Sequence, residues 1–355
     1  MFRRSFGRRC ACATAFFLMC VAPAVADANR APGAPDRNTA DFTQRIDANQ
    51  LSMVVSNVGS FGYDLLTGGA GLEYPGGSGR TVLFAGGIWV GAMVDGAPRV
   101  TVAEYEAEYG PGPIIGGLPA DPTDPRFKVY KLFRDYPSTA ERDAARADYF
   151  AGAVPFGAPA IAVLGPTGLA IRGDQMTWSV ANDADASLHT SHASHSAPLG
   201  IELRTTFNAS AAAWPYSRVI LGRIEIRNAS TQTLAAARVG VWLDPDLGGH
   251  TDDLVACIPD TALGYCYNAT NTDAMYGSAP PAFGVRILRV TAPGPPVAAM
   301  SAFFRYVNGT DPTSALQCYR QLAGLAADGS PIIDPTSGSD RSRSRRTSRW
   351  RSTSC

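Results

Sequence analysis

The chain has 355 residues, 31 basic against 31 acidic, so its formal net charge is zero, and only 17% of its residues are charged. That balance excludes the basic excess of a nucleic-acid binder and the charge of a disordered acidic chain. The 36 glycines and 26 prolines that punctuate short apolar runs point to a mainly β chain, with antiparallel β-sandwich-like domains and a few short helices.

The amino terminus reads as an export signal. Arg3, Arg4, Arg8 and Arg9 form a positive region, Cys10 to Ala22 an apolar run, and Ala24-Val25-Ala26 a cleavage site, with Ala28 as the alternative. About a dozen apolar residues are too few to cross roughly 30 Å of hydrocarbon, and no later run approaches a spanning length. The mature chain is therefore expected to lack a transmembrane segment and to be secreted or extracytoplasmic. Arg3-Arg4-Ser5-Phe6 also fits a twin-arginine signal. Cys20 is a poor lipid-attachment site because Met19 precedes it.

Residues 27–40 read as a flexible lead-in. A β-rich region is expected over 41–175 and a β-sandwich-like region over 176–336. Leu51 to Val55 is a first β-prone run, and Thr81 to Met93 (TVLFAGGIWVGAM) suits a strand pair covered on both faces. Asp95-Gly96 is a hairpin dipeptide, with Arg99 to Glu104 as the returning strand. A helix is expected over Ser138 to Phe150, opened by a Ser138/Glu141 capping box. Strands follow at Gly200 to Asn208, Arg218 to Asn228 and Ala236 to Leu243. In the second, Arg223, Glu225 and Arg227 alternate with Ile224 and Ile226 as on a half-buried strand. Asp311-Pro312 reads as the start of a last helix ending by Gly324, with Leu316, Tyr319 and Ala323 on its buried face. No internal repeat is visible.

Several constellations could carry chemistry. Asp244, Asp246, Asp252 and Asp253 fall within ten residues around a glycine turn. They could supply oxygen ligands to Ca²⁺, although Pro245 and the spacing rule out an EF-hand, or they could form turns by accepting backbone N–H groups. His189, His192 and His195 have a metal-like spacing, but their Ser- and Pro-rich setting favours a loop. Glu104, Glu106 and Glu108 alternate along a strand end, at a separation that glycosidase carboxylate pairs also show. Cys10, Cys12 and Cys20 leave with the signal. Cys257 and Cys266 flank a Pro- and Gly-containing reversal and are expected to pair in an oxidising compartment, for roughly 2 to 3 kcal/mol. Asn208, Asn228, Asn268 and Asn308 begin N-x-S/T sequons, better read as turn chemistry. No G-x-S-x-G elbow, HExxH motif or P-loop is present.

Four passages carry a resemblance: NVGSFGYDLLTGGAGLEYPGGSGRTVLFAGGIWVGA (57–92), AEYEAEYGPGP (103–113), VWLDPDLGGHTDDLVACIPDTALGYCYNATNTDAMYGSAPPAFG (241–284) and YVNGTDPTSALQCYRQLAGLAADGSPIIDP (306–335). Over about residues 45 to 336 the chain resembles a family of large secreted bacterial proteins, many of which end in a C-terminal sorting domain for type IX secretion. The resemblance implies export and a surface location, and it transfers no catalytic residues to this chain. After Pro335-Thr336 it stops. The basic tail SGSDRSRSRRTSRWRSTSC (337–355) reads as a disordered segment or as the product of a frameshift or truncation, and the sorting domain is absent. The expected function is a non-catalytic binding or structural protein with an extracellular protein or glycan ligand and possible calcium binding. The alternative is a secreted carbohydrate-active hydrolase using the paired carboxylates.

Overall fold

The computed structural model describes residues 15–19, 42–135, 139–164, 168–191, 194–292, 300–305 and 311–332. The lead-in, the cleavage site, His192, Asn308 and the basic tail lie outside these residues. In chain order the main strands are β1 (Thr43–Ile46), β2 (Ser52–Ser56), β3 (Ala85–Val94), β4 (Ala97–Thr101), β5 (Tyr130–Phe133) and β6 (Gln175–Asn182). They continue with β7 (Ile201–Ala209), β8 (Ile220–Asn228), β9 (Ala235–Asp244), β10 (Asp253–Ile258), β11 (Leu263–Asn268) and β12 (Phe283–Arg286). Two helices, α1 (Thr139–Gly152) and α2 (Ala315–Leu322), accompany them. The chain is mainly β with antiparallel sheets, the β-sandwich-like class that its turns and alternations predict.

The smaller sheet is the meander β6–β7–β8, with β5 and Gly110–Pro111 on the outer edge of β6. The larger is organised on β3, which pairs with β9 on one side and with β4 and Ser60–Phe61 on the other. Ala15–Met19, inside the expected signal, runs parallel between β9 and Phe303–Arg305. The two sheets share one core. Ile88, Val90, Val239 and Leu243 come from the larger sheet, and Ala181, Ile201, Leu203 and Ile226 from the smaller.

Each sheet is also covered on its other face, because alternate side chains of a strand point to opposite sides. Met176, Trp178 and Val180 of β6 join Tyr130, Leu132 and Tyr149 in a second core under α1. Trp89 of β3 and Trp242 of β9 join Val100, Cys318 and Leu322 in a third under α2. Coverage on both faces accounts for the unbroken apolar run of β3. Its glycines serve close approach. A Cβ at Gly87 would lie 1.9 Å from the Ala103 carbonyl oxygen, and one at Gly91 2.9 Å from Leu322 of α2.

Asp95-Gly96 forms the expected hairpin turn, with both residues at positive φ and Val94 opposite Ala97. The strand pair expected over Thr81 to Met93 is corrected. Thr81–Leu83 and β3 do not pair with each other, since Phe84 alone cannot reverse the chain, and Thr81–Leu83 pairs instead with Leu72–Glu73. Asn228 to Leu234 carries the chain from one sheet to the other. The division at 175/176 falls at β6, which pairs with strands from both halves, just as β9 pairs with β3.

α1 forms as expected, and the residues before Thr139 that would cap it lie outside those described. α2 starts later than expected, at Ala315, where the Ser314 hydroxyl accepts from Gln317 N. Its buried face is Cys318, Gln321 and Leu322, one position round from the expected one, and Leu316 is exposed. The face is set by the fit over Gly91 and Trp89, which helical spacing alone does not specify.

The expected Cys257–Cys266 bridge is not formed. In the β10–β11 hairpin Cys257 lies opposite Gly264, and Cys266 opposite Val255. The two cysteines are thus diagonal neighbours on one face, a placement with Cβ atoms at roughly 7 Å, against the roughly 4 Å a disulfide needs.

Candidate functional site

The glutamates expected to alternate on a strand lie instead where the chain doubles back after β4. Glu104 N donates to Glu106 O (2.9 Å) and Glu108 N to Val102 O (2.9 Å). This turns Glu104 and Glu108 inward, to 7% and 1% exposure, and leaves Glu106 outside. Glu108 accepts from Val102 N (2.9 Å) and from the Ser194 hydroxyl, with His189 Nδ1 3.7 Å away. Burial pushes Glu104 up to about 8, reinforced by Asp311, and Glu108 up to about 7 against the hydrogen bonds that oppose it. Neighbouring Asp183 accepts from Thr101 Oγ1 (2.6 Å), Leu199 N (2.7 Å) and Ile201 N (2.6 Å), tying β4 to β7. These groups form a polar joint inside the protein, where a polysaccharide has no access to them.

The two described histidines of the run, His189 and His195, are not arranged as a metal face. His189 is buried with Nε2 2.9 Å from Asp183 O, and His195 is exposed at positive φ. Asn228 makes the expected Asx turn, accepting from Ser230 N (3.0 Å), whereas Asn208 and Asn268 are buried.

The four aspartates also divide. Asp244 accepts from the Tyr105 hydroxyl. Asp252 accepts from Asn268 Nδ2 (3.1 Å), and Asp253 from Leu247 N (2.8 Å). Asp246 is buried. Burial pushes Asp246 up to about 6 and Asp253 up to about 7, the latter helped by Asp246 and Asp252. Among the described residues, Oδ1 of Asp246 and of Asn268, which lies opposite Asp253 in the hairpin register, have no hydrogen-bond partner, and Oδ1 of Asp253 has none beyond the weak donor of the neighbouring Cys266 thiol. These are the atoms a hard cation would use. Among the described residues, no three His, Cys, Asp or Glu side chains are gathered to hold a metal ion. A Ca²⁺ here would therefore need the amide of Asn268, backbone carbonyls and water to complete its six to eight oxygens.

The surface carries a different arrangement, which lies outside every expected constellation. In the loop before β8, Trp214 is 73% exposed and Tyr216 60% exposed. The Arg218 guanidinium lies between two rings, 5.5 Å from the Trp214 centroid and 5.3 Å from that of Tyr74. Arg218 Nε donates to Gln50 Oε1 (2.8 Å), and Gln50 N donates to Ser217 O (2.9 Å). Asn49 Nδ2 reaches Tyr216 O (3.2 Å) and Val219 O (2.9 Å). The Tyr276 hydroxyl donates to Tyr74 O (2.7 Å), and Arg80 lies 5.8 Å from the Tyr276 centroid. Four chain segments are thereby fixed into one platform of aromatic faces and guanidinium edges.

Exposed Trp and Tyr held rigidly are a poor use of apolar area unless something covers them. The sequence signal was present in SAAAWPYSR (210–218), two aromatics in a loop of small and polar residues where no core requires them. Elsewhere, an open depression of about 150 Å³ is lined by Gln44, Tyr130, Lys128 and Lys131, and both lysines are paired, Lys128 with Asp148 and Lys131 with Asp47. Comparison with family models, curated proteins and solved structures finds no match to the chain.

Proposed function

We propose that this chain is a secreted or cell-surface protein that binds an extracellular ligand without transforming it, and that the Trp214–Arg218–Tyr74 platform is where it binds. The observation that carries the reading is the contrast in exposure. The aromatic and cationic groups suited to recognition are outside on a braced frame, while the paired carboxylates a glycosidase would need are inside. The signal-like amino terminus and the family resemblance support export. No helix among the described residues is long and apolar enough to cross a membrane.

The deciding experiment passes the purified protein and Trp214→Ala over a panel of immobilised polysaccharides and follows retention and the release of reducing ends. Retention without release, lost in Trp214→Ala at an unchanged melting temperature, is the expected result. Release of reducing ends that disappears in Glu104→Gln would replace the reading with the hydrolase. No retention by any member of the panel would remove glycan binding by the platform.

A further inference from the structure

Resting on that reading, we infer that the platform's ligand is an acidic polysaccharide, a chain of pyranose rings bearing carboxylates. A pyranose ring has an apolar face of axial C–H bonds, which packs on an indole or phenol ring, and it carries its charged and hydroxyl groups around the rim. The platform has the complementary layout. Trp214 and Tyr216 offer ring faces, and Arg218 stands beside them with its Nε committed to Gln50 Oε1. Its terminal nitrogens have no ion-pair or hydrogen-bond partner among the described residues. A planar guanidinium pre-oriented by stacking suits two-point recognition of a carboxylate. Arg80, stacked on Tyr276 across the Tyr74 carbonyl, adds a second cation on the same surface.

The nearby acids are hydrogen-bonded elsewhere and do not pair with Arg218 or Arg80 among the described residues. Glu73 is turned to Gly77 N (2.9 Å) and Gly79 N (3.3 Å), with Arg45 at 3.7 Å. Asp273 accepts from Gly249 N, Met275 N and Tyr276 N. Four other surface arginines, Arg126, Arg134, Arg223 and Arg227, differ in that they pair with carboxylates. Two cations on a chain of zero net charge fall well short of the basic groove that tracks a nucleic-acid backbone. A polyuronate, whose charges are interspersed with apolar ring faces, fits better.

The test uses affinity electrophoresis of the full chain through gels containing polygalacturonate, its fully methyl-esterified form, or neutral cellulose derivatives, with a thymidine oligonucleotide as competitor. Strong retardation by polygalacturonate is expected, at least tenfold weaker with the methyl ester. It should weaken at least tenfold in Arg218→Gln, recover partly in Arg218→Lys, fall with added salt, and vanish in Trp214→Ala. Tyr216→Ala serves if Trp214→Ala alters the melting temperature. Equal retardation by the acid and its methyl ester, or by neutral polymers only, would overturn the acidic ligand while leaving the platform as a glycan site. Displacement by the oligonucleotide at comparable concentration would overturn it in favour of nucleic acid. Retardation by none of the polymers would sink the acidic ligand together with glycan binding by the platform.

Discussion

In the unfolded chain Glu104 and Glu108 titrate near the ordinary value of about 4.3, but inside the protein burial raises them to about 8 and about 7. Between those limits the native state holds more protons than the unfolded state. Stability therefore falls as pH rises through the window and levels off above it. Every tenfold difference in proton affinity between the two states corresponds to about 1.4 kcal/mol, so the two glutamates together contribute a loss of several kcal/mol. Thermal melts are expected to show a higher midpoint at pH 5.5 than at pH 8.5. Glu104→Gln should raise the midpoint at pH 8.5 and flatten the profile, and a profile of unchanged slope in that variant would show that Glu104 is not its source. The cysteines give a second readout at this scale. Cys257 is half-buried, while Cys266 and Cys318 are buried, and that burial pushes both thiols upward so that little reactive thiolate forms. Iodoacetamide should label Cys257 in the native protein and the other two only after unfolding. Protection of both Cys257 and Cys266 until a reductant is added would restore the bridge.

At the scale of elements, strands whose neighbours are local in sequence were the most legible. β4, β7 and β8 fall within three residues of their expected bounds, because alternation and the Asp95-Gly96 turn act over short distances. Features decided by partners far along the chain were not legible. The buried face of α2 depends on Gly91, and the platform on Asn49 and Gln50 meeting Trp214 to Val219; the inward turn of Glu104 is local, but the Ala103–Ala107 bridge that makes it breaks the alternation read from the sequence. The turn from β9 into β10 tests what its aspartates do. Asp246 and Asp253 must be ionised to hold a cation, and burial lifts them to about 6 and about 7. Millimolar Ca²⁺ should thus stabilise at pH 8.5, by about 1.4 kcal/mol at ten times its dissociation constant and so by about 3 °C in Tm, with no change at pH 5.5. Asp246→Asn should remove the effect. A Tm that does not respond to Ca²⁺ at pH 8.5 would leave the proton as the only partner of these oxygens.

For the whole molecule, the feature with the widest consequence is that the chain changes sheets between β8 and β9. The meander from β6 to β8 joins strands that follow one another, so little loop entropy opposes it. The pairing of β3 with β9, the spine of the larger sheet, joins opposite halves of the chain and waits for the crossover to be made. Assembly should accordingly run in order, the smaller sheet early and the larger late. In pulse-labelled hydrogen exchange during refolding, amides of β6, β7 and β8 are expected to gain protection before those of β3 and β9, and the reverse order would refute the sequence of events. During the interval between them β3, an apolar strand buried along almost its whole length in the native protein, stands without its partner. Such an intermediate is the one a chaperone would need to hold, and its lifetime sets the concentration at which the chain can refold without aggregating.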